Sequence, residues 1–275
     1  MFDAAAAALS RGVLPLSEDG GGGFHGPTAE DFFPPAIFGE GTFYEFNRIM
    51  MVRVIATVAL CVLFLLAARN VKLVPGRGQG IAEIALDFVR VNVSEEVLGK
   101  ERGKAWVPLL SVIFFGVFAM NITGVVPGLN IAGASVVGFP LVVAVVAWIA
   151  FMVAGIRAHG AWHFYRDQIF TPGVPWPLYF ILAPIELVST FLLRPLTLTI
   201  RLLANMMSGH FLLVLCFAAT NALFLEASPP LKPLGLLTLG ASFAFYGLEI
   251  FIAALQAYIF ALLTAVYISL SVESH

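Results

Sequence analysis

The sequence predicts an all-α integral membrane protein. It should have about five membrane-crossing helices and an amphipathic surface helix, with the last two crossing helices long and tilted as a hairpin. Three observations predict this. Hydrophobic residues make up 60% of the 275 and charged residues only 12%, against roughly 45–50% and 25% in soluble domains. Apolar stretches of about 20 residues, enough to cross the hydrocarbon core at 1.5 Å per residue, recur along the chain. The last two are longer than an upright span needs, so they must tilt or bend.

Residues 1–47 carry glycine, proline and acidic side chains (Glu18, Asp19, Gly20 to Gly23, Glu30, Asp31, Pro34, Pro35) and read as an exoplasmic tail with little to pack. The start, M-F-D-A-A-A-A-A-L, lacks the basic residues of a secretory signal, so insertion is expected from later segments. Residues 48–172 should hold the first three spans: Ile49–Ala68, Trp106–Val126 and Val136–Ile156. Between the first two, Ile81, Ile84, Ala85, Phe88, Val89, Val91 and Val93 form an amphipathic piece expected to lie on the cytoplasmic membrane surface. Residues 173–275 contain the two long segments, from about Leu178 to Leu225 and from Leu234 to Val272, with Ser228-Pro229-Pro230 as the turn.

Orientation follows from basic residues. Arg69, Lys72, Arg77, Arg90, Lys100, Arg102 and Lys104 crowd one loop, and Arg157 and Arg166 the next on the same side. The positive-inside rule puts both in the cytoplasm. The N-terminus and the Pro229 turn then lie outside and the C-terminus inside.

Several patterns carry no chemistry. Gly76-Arg-Gly-Gln-Gly80 has no preceding strand, and Gly99-Lys-Glu-Arg-Gly103-Lys104 has the wrong spacing for a phosphate loop, so no nucleotide is expected to bind this chain. His159, His163 and Asp167 have helical ligand spacing, but Gly160, Trp162 and Tyr165 favour a membrane-surface turn over a metal site. Cys61 and Cys216 stand alone. The net charge of −2 gives no reason to expect nucleic acid.

The polar residues of the long segments do carry chemistry. A charge at the bilayer centre costs about 2.5–3.5 kcal/mol on insertion scales, so chains that keep one there generally use it. Glu186, Thr190, Arg194, Thr197, Arg201, Asn205 and Ser208 recur at steps of three and four, hence on one helical stripe. Pro195 removes a backbone donor and frees the carbonyl near Phe191, which predicts a bend. Snorkelling to an interface would suit Arg194 but not Arg201, which a long apolar run follows.

A hairpin turning near Pro229 sets Arg201 opposite Gln256 and His210 opposite Glu249. Gln256 can accept from the guanidinium, and a neutral imidazole and a carboxyl can exchange a proton. His210 lies nine residues beyond Arg201, about 13 Å along a helix, and Glu186 fifteen residues before it, about 22 Å if straight. A cation that never deprotonates therefore sits between two titratable sites. That layout suits two half-channels with a barrier between them.

At Arg194-Pro195 and Arg201-Leu-Leu-Ala-Asn205-Met-Met-Ser-Gly209-His210 the chain resembles subunit a of the F-type ATP synthase, the stator of its membrane motor. Leu255-Gln256-Ala257-Tyr258-Ile259-Phe260, Thr264-Ala265-Val266-Tyr267, Asn121 before Gly124 and Pro127, and the Pro75–Glu83 stretch support it, over about Phe43 to the C-terminus. The resemblance implies a proton-conducting, non-catalytic subunit of a bacterial plasma membrane. Its partners would be the c-subunit ring, the b subunits of the peripheral stalk and lipid, and it would need no cofactor or metal.

On this resemblance Arg201 faces the ring carboxylates, with Asn205 and Gln256 as neighbours. His210 and Glu249 line the outer half-channel, and Glu186 serves the cytoplasmic one. Asn121, Arg194 and Ser208 are secondary. Some bacterial relatives carry Glu and His exchanged at the two outer positions, which suits the facing register. The titratable outer pair favours protons over sodium. A secondary transporter would show internal repeats and an intramembrane metalloenzyme a His-Glu-x-x-His motif; the sequence has neither.

Overall fold

A computed structural model describes residues 36–38, 46–69, 76–126, 129, 131–169, 179–225 and 232–273. Most of the tail, the Pro229 turn and the last two residues lie outside them. Two short strands, β1 (Ala36–Phe38) and β2 (Phe46–Asn47), pair antiparallel. The α-helical elements among the described residues are α1 (Arg48–Arg69), α2 (Arg77–Val89), α3 (Glu96–Leu98), α4 (Lys100–Ile122), α5 (Gly138–His159), α6 (Ala161–Ile169), α7 (Tyr179–Val188), α8 (Arg194–Leu225) and α9 (Lys232–Glu273).

Among the described residues five helical segments are long and apolar enough to cross a membrane: Arg48–Arg69, Lys100–Ile122, Gly138–His159, Leu182–Leu225 and Lys232–Glu273. The protein is all-α and multi-pass. Apolar side chains are abundant outside as well as inside, as a lipid solvent requires. In α1 only Ile49, Val52 and Ala56 are buried, while Leu63, Leu65 and Leu66 stand exposed. Helix α2 turns Ile81 and Ile84 outward, 70% and 72% exposed, an apolar flank of the kind an amphipathic surface helix presents.

Two helix boundaries need glycine. Gly99 and Gly160 sit at φ +79° and +78°, a left-handed region that a Cβ disfavours. They divide α3 from α4 and α5 from α6. Among the described residues two π-helical turns interrupt the α-helical run, Arg90–Glu95 after α2 and Ser189–Leu193 between α7 and α8.

Contacts divide the chain into two units, each drawn from separate segments. The first takes residues up to Thr57, Ala119–Ser135 and Ala204–Ala254. In it Arg48 donates to the Leu129 carbonyl at 3.1 Å and Arg53 Nε to the Gly133 carbonyl at 2.8 Å. The Gly133 N–H donates to Met120 O and Thr123 Oγ1, and the Tyr246 hydroxyl to Val125 O at 2.7 Å. The loop after α4 thus has its backbone polar groups satisfied from side chains as well as from itself.

The second unit takes Val58–Phe118, Val136–Leu203 and Leu255–His275. Its core includes Phe151, Met152 and Phe164, with Trp148, Phe191 and Tyr267 packed on them. A second cluster holds Ala150, Ala154 and Ile268. Gly155 lets the Phe164 ring lie against α5, since a Cβ there would overlap the ring. Ser94 is buried and donates to the Gly103 carbonyl at 2.8 Å, satisfying a hydroxyl that lipid could not.

Candidate functional site: polar side chains within the spans

In the first unit α8 and α9 pack antiparallel. Thr220 Oγ1 donates to Thr238 Oγ1 at 3.0 Å, and a Cβ on Gly235 would meet the Phe224 ring at 3.3 Å. Farther along, a Cβ on Gly209 would stand 3.5 Å from Glu249 Oε1. All three pairs are nearly equidistant from Pro229, the register expected for a hairpin turning there. It sets Glu249 beside the residue preceding His210.

Glu249 is 6% exposed, and neither carboxylate oxygen accepts a hydrogen bond from a described residue. His210, half-buried, therefore reaches Glu249 through no direct hydrogen bond. A buried carboxyl left unpaired must be neutral, hydrated or momentary in its charge, since an isolated buried carboxylate is strongly disfavoured. Asn121, fully buried, likewise has neither amide atom bonded to a described residue. Asn205 is half-buried; Ser208 is exposed and donates to the Asn205 carbonyl at 3.1 Å, a bond within its own helix.

In the second unit Arg201 is exposed and Gln256 only 4% exposed. The structure records no hydrogen bond or ion pair of Arg201 to a described residue. Ile200 beside it is 52% exposed and Leu196 one turn earlier 42%, so the charge stands on an apolar outer flank. Glu186 is half-buried.

Arg194 is held differently. Its guanidinium carbon lies 4.9 Å from the centre of the Phe151 ring and 5.4 Å from that of Tyr267, distances at which a cation is attracted to a ring face. Its Nη1 is buried without a hydrogen-bond partner among the described residues. Trp148, Pro195 and Leu198 complete a small pocket around it. The two rings come from α5 and α9, too far away in sequence for spacing to suggest them.

The expected bend at Pro195 takes the form of the π-helical turn Ser189–Leu193. The Arg194 N–H bonds to Ser189 O, five residues back, one residue more than an α-helix uses. Pro195 has no N–H to give and its ring crowds the carbonyl four residues before, so the wider turn relieves both. The stripe of polar residues is uneven as a result. Thr190 is fully buried and its hydroxyl has no partner among the described residues, while Thr197, Arg201 and Ser208 are exposed.

His159 Nε2 lies 2.9 Å from the Val272 carbonyl, His163 is exposed, and the Asp167 side chain lies outside the description. Among the described residues no three His, Cys, Asp or Glu side chains cluster as metal ligands.

Five apolar spanning helices with ionisable side chains set inside them define a multi-pass membrane protein. A family model described as ATP synthase A chain matches residues 50–269. ATP synthase subunit a of Rhodococcus erythropolis is 45% identical over 251 residues, 91% of each chain. That of Pseudarthrobacter chlorophenolicus is 35% identical over 96% of this chain and 99% of its own, and that of Frankia alni 36% over 93% and 88%. The chain belongs to the ATP synthase subunit a family. It is a membrane subunit of the Fo part, works in a complex with other Fo subunits, and serves ATP synthesis and proton transport.

Proposed function

We propose that this chain is the non-catalytic, proton-conducting stator of the Fo motor, passing protons through two offset half-channels to and from the carboxylates of a rotating c-subunit ring. The observation that carries the reading is Arg201, exposed on the apolar flank of α8 with no described counter-charge. A permanent cation facing lipid is costly, so a neighbouring subunit with a carboxylate is the natural complement.

The outer half-channel runs by Glu249 and His210, with Asn121, Asn205 and Ser208 as polar neighbours. A proton entering there neutralises a ring carboxylate, which can then face lipid. After nearly a full turn the carboxylate approaches Arg201, ionises, and its proton leaves past Glu186. The hydrogen bond expected from Arg201 to Gln256 is not made in this structure; Gln256, 4% exposed, is a buried polar neighbour of the route. Arg201 blocks direct passage between the two routes, because a fixed positive charge repels a proton in a low-dielectric setting. The membrane potential supplies about 2.3 kcal/mol per charge per 100 mV. Peripheral-stalk b subunits hold the chain against the torque, in a bacterial plasma membrane with the N-terminus outside and the C-terminus in the cytoplasm.

The test is R201A in inverted membrane vesicles. ATP-driven proton uptake should fall to background while the complex still assembles. Uptake at the wild-type rate would overturn the proposal.

A further inference from the structure

The proposed proton route uses Glu186 and not Arg194, yet Arg194 is the one guanidinium in the described residues that lies over aromatic rings. Eight residues separate Glu186 from Arg194. In an unbroken α-helix eight residues turn about 80° past two full turns, which would set the two side chains on different faces. The π-helical turn Ser189–Leu193 lies between them and closes with one residue more. Subtracting that residue leaves about 20° short of two turns, so the carboxylate and the guanidinium share a face, two turns apart. Among the described residues the one ion pair joins Arg90 and Glu95, so Arg194 would act on Glu186 as a fixed charge across that two-turn gap and not as a bonded partner.

The clamp is fixed at both ends. Phe151 is 1% exposed and packs edge-on against Phe164 at 5.5 Å, so it cannot swing aside. Tyr267 sits on the same core cluster, as does Phe191 within the π-turn, which Tyr165 stacks at 5.9 Å. A guanidinium between two such rings loses little further freedom on acting as a partner.

We infer that Arg194 is a positioning residue for Glu186: held between Phe151 and Tyr267, it presents a fixed positive charge to the face onto which the π-turn rotates that carboxylate, and so orients Glu186 for proton release. The inference rests on the reading of Glu186 as the carboxylate of the cytoplasmic route. Arg194 does not itself carry the proton, since its guanidinium stays charged.

The test is a double-mutant cycle on ATP-driven proton uptake, with the intact complex in vesicles and assembly checked by co-purification of the ring. R194M should lower uptake about tenfold, and R194K should recover most of that loss because it keeps the charge. Glu186→Asp, which retains a carboxyl but withdraws it, should lower uptake several-fold, and adding R194M to it should cost less than about twofold more, the signature of coupled residues. If R194M does not assemble, R194Q takes its place with the same expectations. Wild-type uptake in R194M, R194K no better than R194M, or losses that multiply in the double variant would each overturn the inference. Glu186→Gln with unchanged uptake would instead overturn the reading of Glu186, whatever Arg194 does.

Discussion

The carboxylate of Glu249 lies against a residue with no side chain: Oε1 is 3.5 Å from where a Cβ of Gly209 would stand. The gap matters because His210 follows directly, and a proton route through both residues needs room at that spot. Gly209→Ala should fit at ordinary contact distance and leave proton uptake near wild type. Gly209→Leu should push Glu249 aside, costing about 1–3 kcal/mol as overpacked sites do, and cut uptake severely in vesicles with normal subunit content.

Glu249→Gln removes the titratable oxygen and keeps the shape. If the carboxyl relays protons, uptake should fall by about a hundredfold, within the range for a positioned acid or base. Unchanged flux would take Glu249 out of the path.

Gly155 has a structural role that can be separated from transport. A methyl group there overlaps the buried Phe164 ring. Gly155→Ala should destabilise by about 1–3 kcal/mol, seen as a lower melting temperature of the purified complex. Gly155→Ala with Phe164→Leu should recover part of it.

Arg53 ties α1 to the loop after α4 through the Gly133 carbonyl at 2.8 Å. Arg53→Leu should forfeit about 1.5–3 kcal/mol of a charge-assisted hydrogen bond. Hydrogen exchange of the 131–135 backbone should then quicken by about tenfold or more.

The π-turn makes a prediction that few substitutions can. Deleting Leu192, which is 59% exposed, should let Ser189–Leu193 close as α-helix and keep Glu186 in phase with Arg194. Deleting Leu203, inside α8, should throw Arg201 out of phase with its successors. Proton uptake should survive the first deletion far better than the second.

The five spans were legible because hydropathy and length alone decide what crosses lipid. The α8–α9 register was legible as a sum about Pro229, which the Thr220–Thr238 and Gly209–Glu249 contacts keep, but the two pairs read from it, Arg201 with Gln256 and His210 with Glu249, make no direct hydrogen bond. Pro195 announced a bend, but not that an extra residue would be absorbed in the hydrogen-bonding pattern. That outcome depends on backbone closure, which side-chain spacing does not encode. Thr190 fits the polar stripe by count and is nonetheless buried, for the same reason. The rings around Arg194 come from Phe151 and Tyr267, on helices far apart in sequence, and only packing brings them together.

The account depends most on what covers Arg201. Thr197, one turn earlier and also exposed, reports on that face without touching the charge itself. A disulfide between Thr197→Cys and a cysteine placed one turn from the ring carboxylate measures the contact directly. The account predicts a product joining this subunit to the ring on oxidation, with ATP-driven proton uptake stopped and then restored by reduction. An assembled complex that forms no such product would contradict it.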